Sequence, residues 1–158
     1  MKLSGRTDIG APIDFVFAFL SDFDGWERSA LRRGADVTRT DKLKKPGPGM
    51  TWHVRFAWKG RERELQIKVV TLDPAGRMTL AFDGPAVEGH LNAELVSLAA
   101  KRTRLLMQVE VKPRTLTARL FIQSLKLAKS RVQKRYDTRL SQLAADIELR
   151  QGGTGGQA

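Results

Sequence analysis

The sequence contains no cysteine, only two histidines and a single tyrosine. The missing cysteine excludes disulfides, thiolate zinc sites, iron–sulfur clusters and cysteine nucleophiles, and argues against a small stapled secreted scaffold. No apolar run approaches the roughly 18 residues that a membrane span needs, and Met1 to Arg6 lack the basic-then-apolar order of a secretory signal. A cytoplasmic protein is the expectation. Acidic residues are also scarce, 17 Asp and Glu against 28 Lys and Arg, which leaves a net charge of +11. Such an excess attracts polyanions, nucleic acid or anionic lipid headgroups alike. No nucleic-acid-binding motif accompanies it, so nucleic acid is not an expected partner and the charge reads first as a solubilising surface.

What is present is 158 residues, 41% of them hydrophobic, enough for one domain with a real core and too few for two. The domain is expected over residues 1–150, with the glycine-rich residues 151–158 as a flexible tail. Lys2 to Ile9 alternates in polarity and predicts an opening strand. Pro12 suits the first turn of a helix carrying Ile13, Val16, Phe17 and Leu20; a second short helix follows over Phe23 to Leu31, with Trp26 and Leu31 pointing inward. Gly34 to Lys42 is a weaker strand candidate, and the prolines and glycines of Lys42 to Gly49 make a loop. From Met50 the alternation is clean, and with Gly60, Asp73 to Gly76, Gly84-Pro85 and Ala99 to Arg102 as turns it predicts successive hairpins ending at Pro113. Beyond Pro113, Phe121, Leu125, Ala128, Val132, Tyr136, Leu143 and Ile147 recur at helical spacing, with Ile122 and Leu140 at the edge of the stripe. One helix from about Pro113 to Leu149, about 50 Å long at the usual rise, is expected to lie on the sheet.

This order of elements, together with the opening Met1-Lys2-Leu3-Ser4-Gly5, the segment from Ile9 through Ala11-Pro12-Ile13 to Ser21-Asp22, and Trp26, resembles the START-like superfamily. That superfamily is also called SRPBCC and includes polyketide cyclase/dehydrase-like, birch-pollen-allergen-like and lipid-transfer proteins. The likeness runs from Lys2 to Leu149, and the first five residues are also similar to the branch of accessory proteins of carbon monoxide dehydrogenase. The resemblance implies an α+β helix-grip fold: a curved seven-stranded antiparallel sheet around a long C-terminal helix, with two short helices after the first strand. It also implies an internal cavity that commonly holds an apolar or amphipathic small molecule.

Strand parity places Trp52, Val54, Phe56, Trp58, Leu65, Ile67, Val69, Met78, Leu80, Phe82, Leu91, Leu105, Met107 and Val109 on the inner side, facing Phe121, Leu125, Ala128 and Val132. From the residues alone these make a packed core; with the resemblance they become the lining of a ligand cavity. Arg61 and Arg63 share the inward parity and are candidates to hold a carboxylate, phosphate or phenolate at the mouth, while Arg139 falls on the helical stripe. The alternative for these arginines is exposure at a strand end or snorkelling to solvent. His53 and His90 have outward parity and are expected to be surface residues. No metal ligand set and no cofactor is expected. The predicted function is binding of a lipid-, polyketide- or quinone-like molecule. Turnover by a polyketide cyclase-like enzyme is the alternative, and a basic accessory protein is the third reading. Leu116, Leu120 and Leu127 lie between cations on the back of the long helix, a face for an anionic membrane, for a homodimer or for the Lys42 to Gly49 loop. Contact within the protein or its dimer is the preferred expectation.

Overall fold

A computed structural model describes the backbone of residues 1–155 and the side chains of residues 1–152. Among the described residues, seven strands and four helices follow in the order β1 (Lys2–Ile9), α1 (Ile13–Leu20), α2 (Phe23–Arg32), β2 (Asp36–Arg39), β3 (Thr51–Trp58), β4 (Arg61–Asp73), β5 (Arg77–Asp83), β6 (Val87–Ala99), β7 (Arg102–Pro113), α3 (Leu116–Leu127) and α4 (Lys129–Gly155). They form one antiparallel sheet ordered β1-β7-β6-β5-β4-β3-β2, as hairpins joined in succession must, with β1 closing against β7. This is the helix-grip architecture, with the long α4 laid over the sheet. Among the described residues no helix is long and apolar enough to cross a membrane.

The hairpins follow from turn chemistry. Gly76, at φ +120, takes a backbone conformation that suits only glycine, and a Cβ there would sit 2.9 Å from the Leu95 carbonyl oxygen. Trp58 pairs directly with Arg61, leaving Lys59 and Gly60 as a two-residue turn with φ of 52 and 73. Lys59 is the one non-glycine among the described residues with positive φ, a conformation that costs a side-chain-bearing residue about 1–3 kcal/mol.

The expectation of one unbroken helix after Pro113 is corrected by a break at Ala128. Its backbone leaves helical geometry at φ −105, ψ 32, and its N–H turns to the Leu125 carbonyl oxygen at 3.1 Å. Neither glycine nor proline marks the spot; packing decides it. α3 buries Ile122, placed at the edge of the expected stripe, whereas α4 buries Leu140, Ala144 and Ile147. α2 also differs from expectation. Its buried residue is Phe23, which packs on Trp52 with ring centroids 5.4 Å apart, while Trp26 and Leu31 are 43% and 53% exposed. A ten-residue helix lying on the sheet buries one stripe, and Phe23, Glu27 and Ala30 occupy it. α4 runs to Gly155, into the expected tail, and residues 156–158 of that tail lie outside the described residues.

Gly5 lets α4 sit this close to β1. A Cβ on Gly5 would lie 2.8 Å from Leu140 Cδ1 and 3.0 Å from Tyr136 Cε1. Tyr136 donates its hydroxyl to the Met107 carbonyl oxygen at 2.6 Å, Gln133 donates to Ser4 O at 3.0 Å, and the Gly10 N–H donates to Glu148 Oε1 at 2.7 Å. These bonds satisfy polar groups along the seam between α4 and the strands β1 and β7.

Candidate functional site

The inner face of the sheet has two unlike ends. At the end carrying α1, α2 and the Asp73 to Arg77 turn, Ile9, Val16, Val69, Leu105 and Ile147 are completely buried, with Trp52, Met50, Met78, Ala93 and Leu95 around them. Thr103, the one buried polar residue among the described residues, donates its hydroxyl to Ala11 O at 2.8 Å. At the other end lie the Lys59-Gly60 turn, the Gly84 to Ala86 turn and the start of α3. There Val54, Phe56, Ile67, Leu80, Phe82, Leu91, Met107, Phe121, Leu125 and Val132 all keep partial exposure.

Register explains which side chains meet. Trp52 opposes Ile67, which opposes Phe82; Val69 opposes Leu80, Leu80 opposes Leu91, and Leu91 opposes Val109, so one continuous apolar surface crosses five strands. Phe82 in turn opposes Gly89, where a Cβ would come within 2.6 Å of the Phe82 ring. α3 leaves β7 at Pro113 and reaches across this surface to β3, where Phe121 meets Trp58 edge-on at 5.0 Å between ring centroids. Lys59 Nζ lies 4.1 Å from the Phe121 centroid and 5.0 Å from that of Trp58, a cation held over two aromatic faces.

The residues singled out in the sequence fall into three groups. Trp52 is in the packed region, only 6% exposed, and gives its indole N–H to Glu27 Oε1 at 2.6 Å. Of the ten partly buried apolar residues just named, Val54, Ile67, Leu80, Leu91 and Met107 pack against the buried cluster, and Phe56, Phe82, Phe121, Leu125 and Val132 lie outside it. Trp58 is at the rim, 43% exposed, and Arg61 beside it is exposed. Arg63 opposes Phe56 and is partly buried, with its guanidinium 5.8 Å from the Trp58 ring; its Nε is enclosed yet has no hydrogen-bond partner. Arg139 is exposed. Among the described residues neither Lys59, Arg61 nor Arg63 has a carboxylate within ion-pair distance. Other arginines are matched: Arg114 holds Asp83 and Glu88 at 2.8 and 2.6 Å, and Arg102 and Arg104 hold Asp8 at 3.0 and 2.8 Å.

His53 and His90 lie on the outer face, 3.2 Å from Glu64 and 3.6 Å from Glu110. Among the described residues no three His, Cys, Asp or Glu side chains gather as a metal site would require. Burial pushes the Tyr136 hydroxyl up to about 12, with Asp137 adding to the effect. A cleft of about 510 Å³ opens between α2 and β3, lined by Trp26, Ser29, Ala30, Arg33, Gly34, Ala35, Phe56 and Ala57. Phe56 belongs both to this cleft and to the inner surface. Sequence reasoning missed the α2 wall of the cleft, because it turned Trp26 inward and gave Ala30 and Arg33 no role. Leu116, Leu120 and Leu127 are 71%, 58% and 92% exposed, so the Lys42 to Gly49 loop does not cover them.

No curated protein matches this sequence significantly. Among solved structures, the Zhui aromatase/cyclase from Streptomyces sp. R1128 is 17% identical with a TM-score of 0.67, over 95% of this chain and 94% of that one. Norcoclaurine synthase from Thalictrum flavum, in complex with dopamine and hydroxybenzaldehyde, is 11% identical with a TM-score of 0.65, over 95% and 87%. A START superfamily protein from Mycobacterium smegmatis is 12% identical with a TM-score of 0.56, over 85% and 95%. At such identities these likenesses concern the fold. The sequence itself matches a family model over residues 1–148, and by that match the chain belongs to the family described as polyketide cyclase / dehydrase and lipid transport.

Proposed function

We propose that the protein binds a hydrophobic or amphipathic small molecule, lipid-, polyketide- or quinone-like, between the sheet and the C-terminal helices. The observation that carries this reading is a set of inner apolar side chains, Phe56, Phe82, Phe121, Leu125 and Val132, that stay partly exposed and outside the packed cluster, whereas Ile9, Val16, Val69, Leu105 and Ile147 are completely buried. Covering them with an apolar guest gains about 25 cal/mol for each Å² removed from water. Arg63 supplies the orientation. An enclosed N–H without a partner costs about 1–3 kcal/mol, and a carboxylate, sulfonate, phosphate or phenolate oxygen on the guest removes that cost with a charge-assisted bond.

Mass spectrometry of an organic extract of natively purified protein is expected to return an apolar molecule. Titration with anilinonaphthalenesulfonate, which joins an apolar ring system to an anionic group, is expected to saturate. Arg63→Ala weakens it about tenfold, and the exposed Arg61, changed to Ala, leaves it nearly unaltered. An empty extract together with unsaturable probe binding refutes the proposal. The competing reading is turnover of a polyketide chain, which needs an inward group that exchanges a proton near neutral pH. Tyr136 fits that role poorly, its hydroxyl being committed to Met107 O and raised to about 12. Conversion of an added polyketone chain, lost on changing one inward polar residue, would replace binding by catalysis.

A further inference from the structure

α3 has two apolar faces, and only one of them is used. Phe121, Ile122 and Leu125 turn toward the sheet, and Ile122 is 6% exposed. On the opposite side Leu116, Leu120 and Leu127, spaced by four and seven residues, form a straight stripe that is 71%, 58% and 92% exposed. A stripe of free leucines on a helix normally marks something that covers it. The charge around it identifies the cover. From Val111 to Tyr136 the sequence carries eight Lys and Arg and no Asp or Glu. Arg119 and Lys126 flank the leucines on the helix itself, Lys129 and Arg131 follow at the start of α4, and Lys59 sits over Phe121.

We propose that α3 docks this protein on the anionic surface of a lipid membrane, with Leu116, Leu120 and Leu127 entering the boundary between headgroups and acyl chains while Arg119 and Lys126 engage the headgroups. A second copy of the chain is the wrong occupant, because joining two such faces brings like charges together. With 12 residues, α3 is about 18 Å long, too short to span and suited to lying in the interface. Docking through the leucines leaves Phe121, Ile122 and Leu125 on the sheet, so the contacts of α3 with the strands are kept. The docking does not depend on the ligand proposal: the vesicle measurement succeeds or fails whatever the organic extract contains.

Flotation with vesicles of phosphatidylcholine mixed with phosphatidylglycerol is the test, against vesicles of phosphatidylcholine alone. The full chain is expected to float with the first and remain below with the second. Leu120→Asp, at an exposed position that leaves the Ile122 face intact, is expected to lower partitioning about tenfold or more. Arg119→Gln with Lys126→Gln is expected to lower it about fivefold for each cation removed, the factor that corresponds to about 1 kcal/mol per charge near the surface. Circular dichroism confirms that each variant is folded, and Leu127→Asn serves if Leu120→Asp is not. Absence of flotation, equal flotation with both vesicle types, or anionic binding that survives Leu120→Asp and Leu127→Asn in folded protein would each overturn the proposal. So would a dimer in sedimentation velocity that Leu120→Asp dissociates while the unaltered protein ignores vesicles.

Discussion

The two ends of the inner face are built from the same residue types on the same strands, yet one holds the completely buried side chains and the other keeps its side chains partly exposed. Trp52 and Phe56 lie four residues apart on β3; the first is 6% exposed against Phe23, the second opens on the cleft beside α2. Three elements cover the packed end, α1, α2 and the stretch of α4 that carries Leu140, Ala144 and Ile147. The open end has chiefly α3, which reaches it through Phe121 and turns three leucines away. A helix over a sheet makes a core only where enough large side chains descend from it. Where they do not, the same alternating strands keep partial exposure.

Removing a side chain from the packed end tests this most severely. Ile147→Ala deletes a fully buried side chain and is expected to cost about 2–5 kcal/mol in urea unfolding, with anilinonaphthalenesulfonate affinity unchanged in the protein that remains folded. A cost below about 1 kcal/mol would mean that the two ends are alike. Next in size is Gly5→Val, which separates α4 from β1 because even a Cβ lies 2.8 Å from Leu140 Cδ1. It is expected to destabilise by about 1–3 kcal/mol through overpacking, read as a lower midpoint in thermal unfolding.

The sheet was legible in the sequence almost throughout, because a period of two along Met50 to Trp58 or Arg77 to Phe82 has one interpretation once a sheet face is buried. Parity also places His53 and His90 on the outer side, where each meets a glutamate. The helices were less legible. The stripe from Phe121 to Ile147 continues through Ala128, and nothing local announces that α3 and α4 answer to different parts of the sheet. The size of Trp26 argues for an inward ring, but six residues back the Leu20 carbonyl accepts its N–H at 3.0 Å and the ring stays at the surface against Phe19. Parity separates the two sides of a strand. It carries no information about how far a facing helix fills the space, which separates Trp52 from Phe56 and Arg63 from Arg61.

A smaller effect is expected from Phe121→Ala at the open end. Phe121 is partly exposed, and its loss removes an edge-on ring pair and part of a cation's aromatic support. About 1–2 kcal/mol of stability is expected to go, less than for Ile147→Ala, while probe binding weakens where Ile147→Ala leaves it alone. If stability falls as far as it does for Ile147→Ala, Phe121 belongs to a core and the contrast between the ends disappears.

Both ends also carry an arginine clamp on a carboxylate, and acid distinguishes them. Hydrogen bonding from Arg104, with Arg102, pulls Asp8 from 3.8 down to about 2, and Arg114 lowers Glu88 in the same direction. A carboxylate whose folded pKa lies below its unfolded value contributes stability that is complete above the unfolded value and vanishes as pH falls through the folded one. Asp8 therefore contributes at neutral pH and loses its contribution between 3.8 and about 2. It joins β1 to β7 beside the packed end, Thr7 opposing the fully buried Leu105, so its protonation loosens the edge strand that α4 grips. Asp8→Asn is expected to start slightly less stable at neutral pH and to lose less on acidification, seen as a shallower acid limb when unfolding midpoints in urea are plotted against pH. Glu88→Gln acts at the open end, where exposed groups on both sides screen the pair, and is expected to flatten the curve less. A shallower limb for Glu88→Gln than for Asp8→Asn would place the acid-sensitive joint at the open end instead.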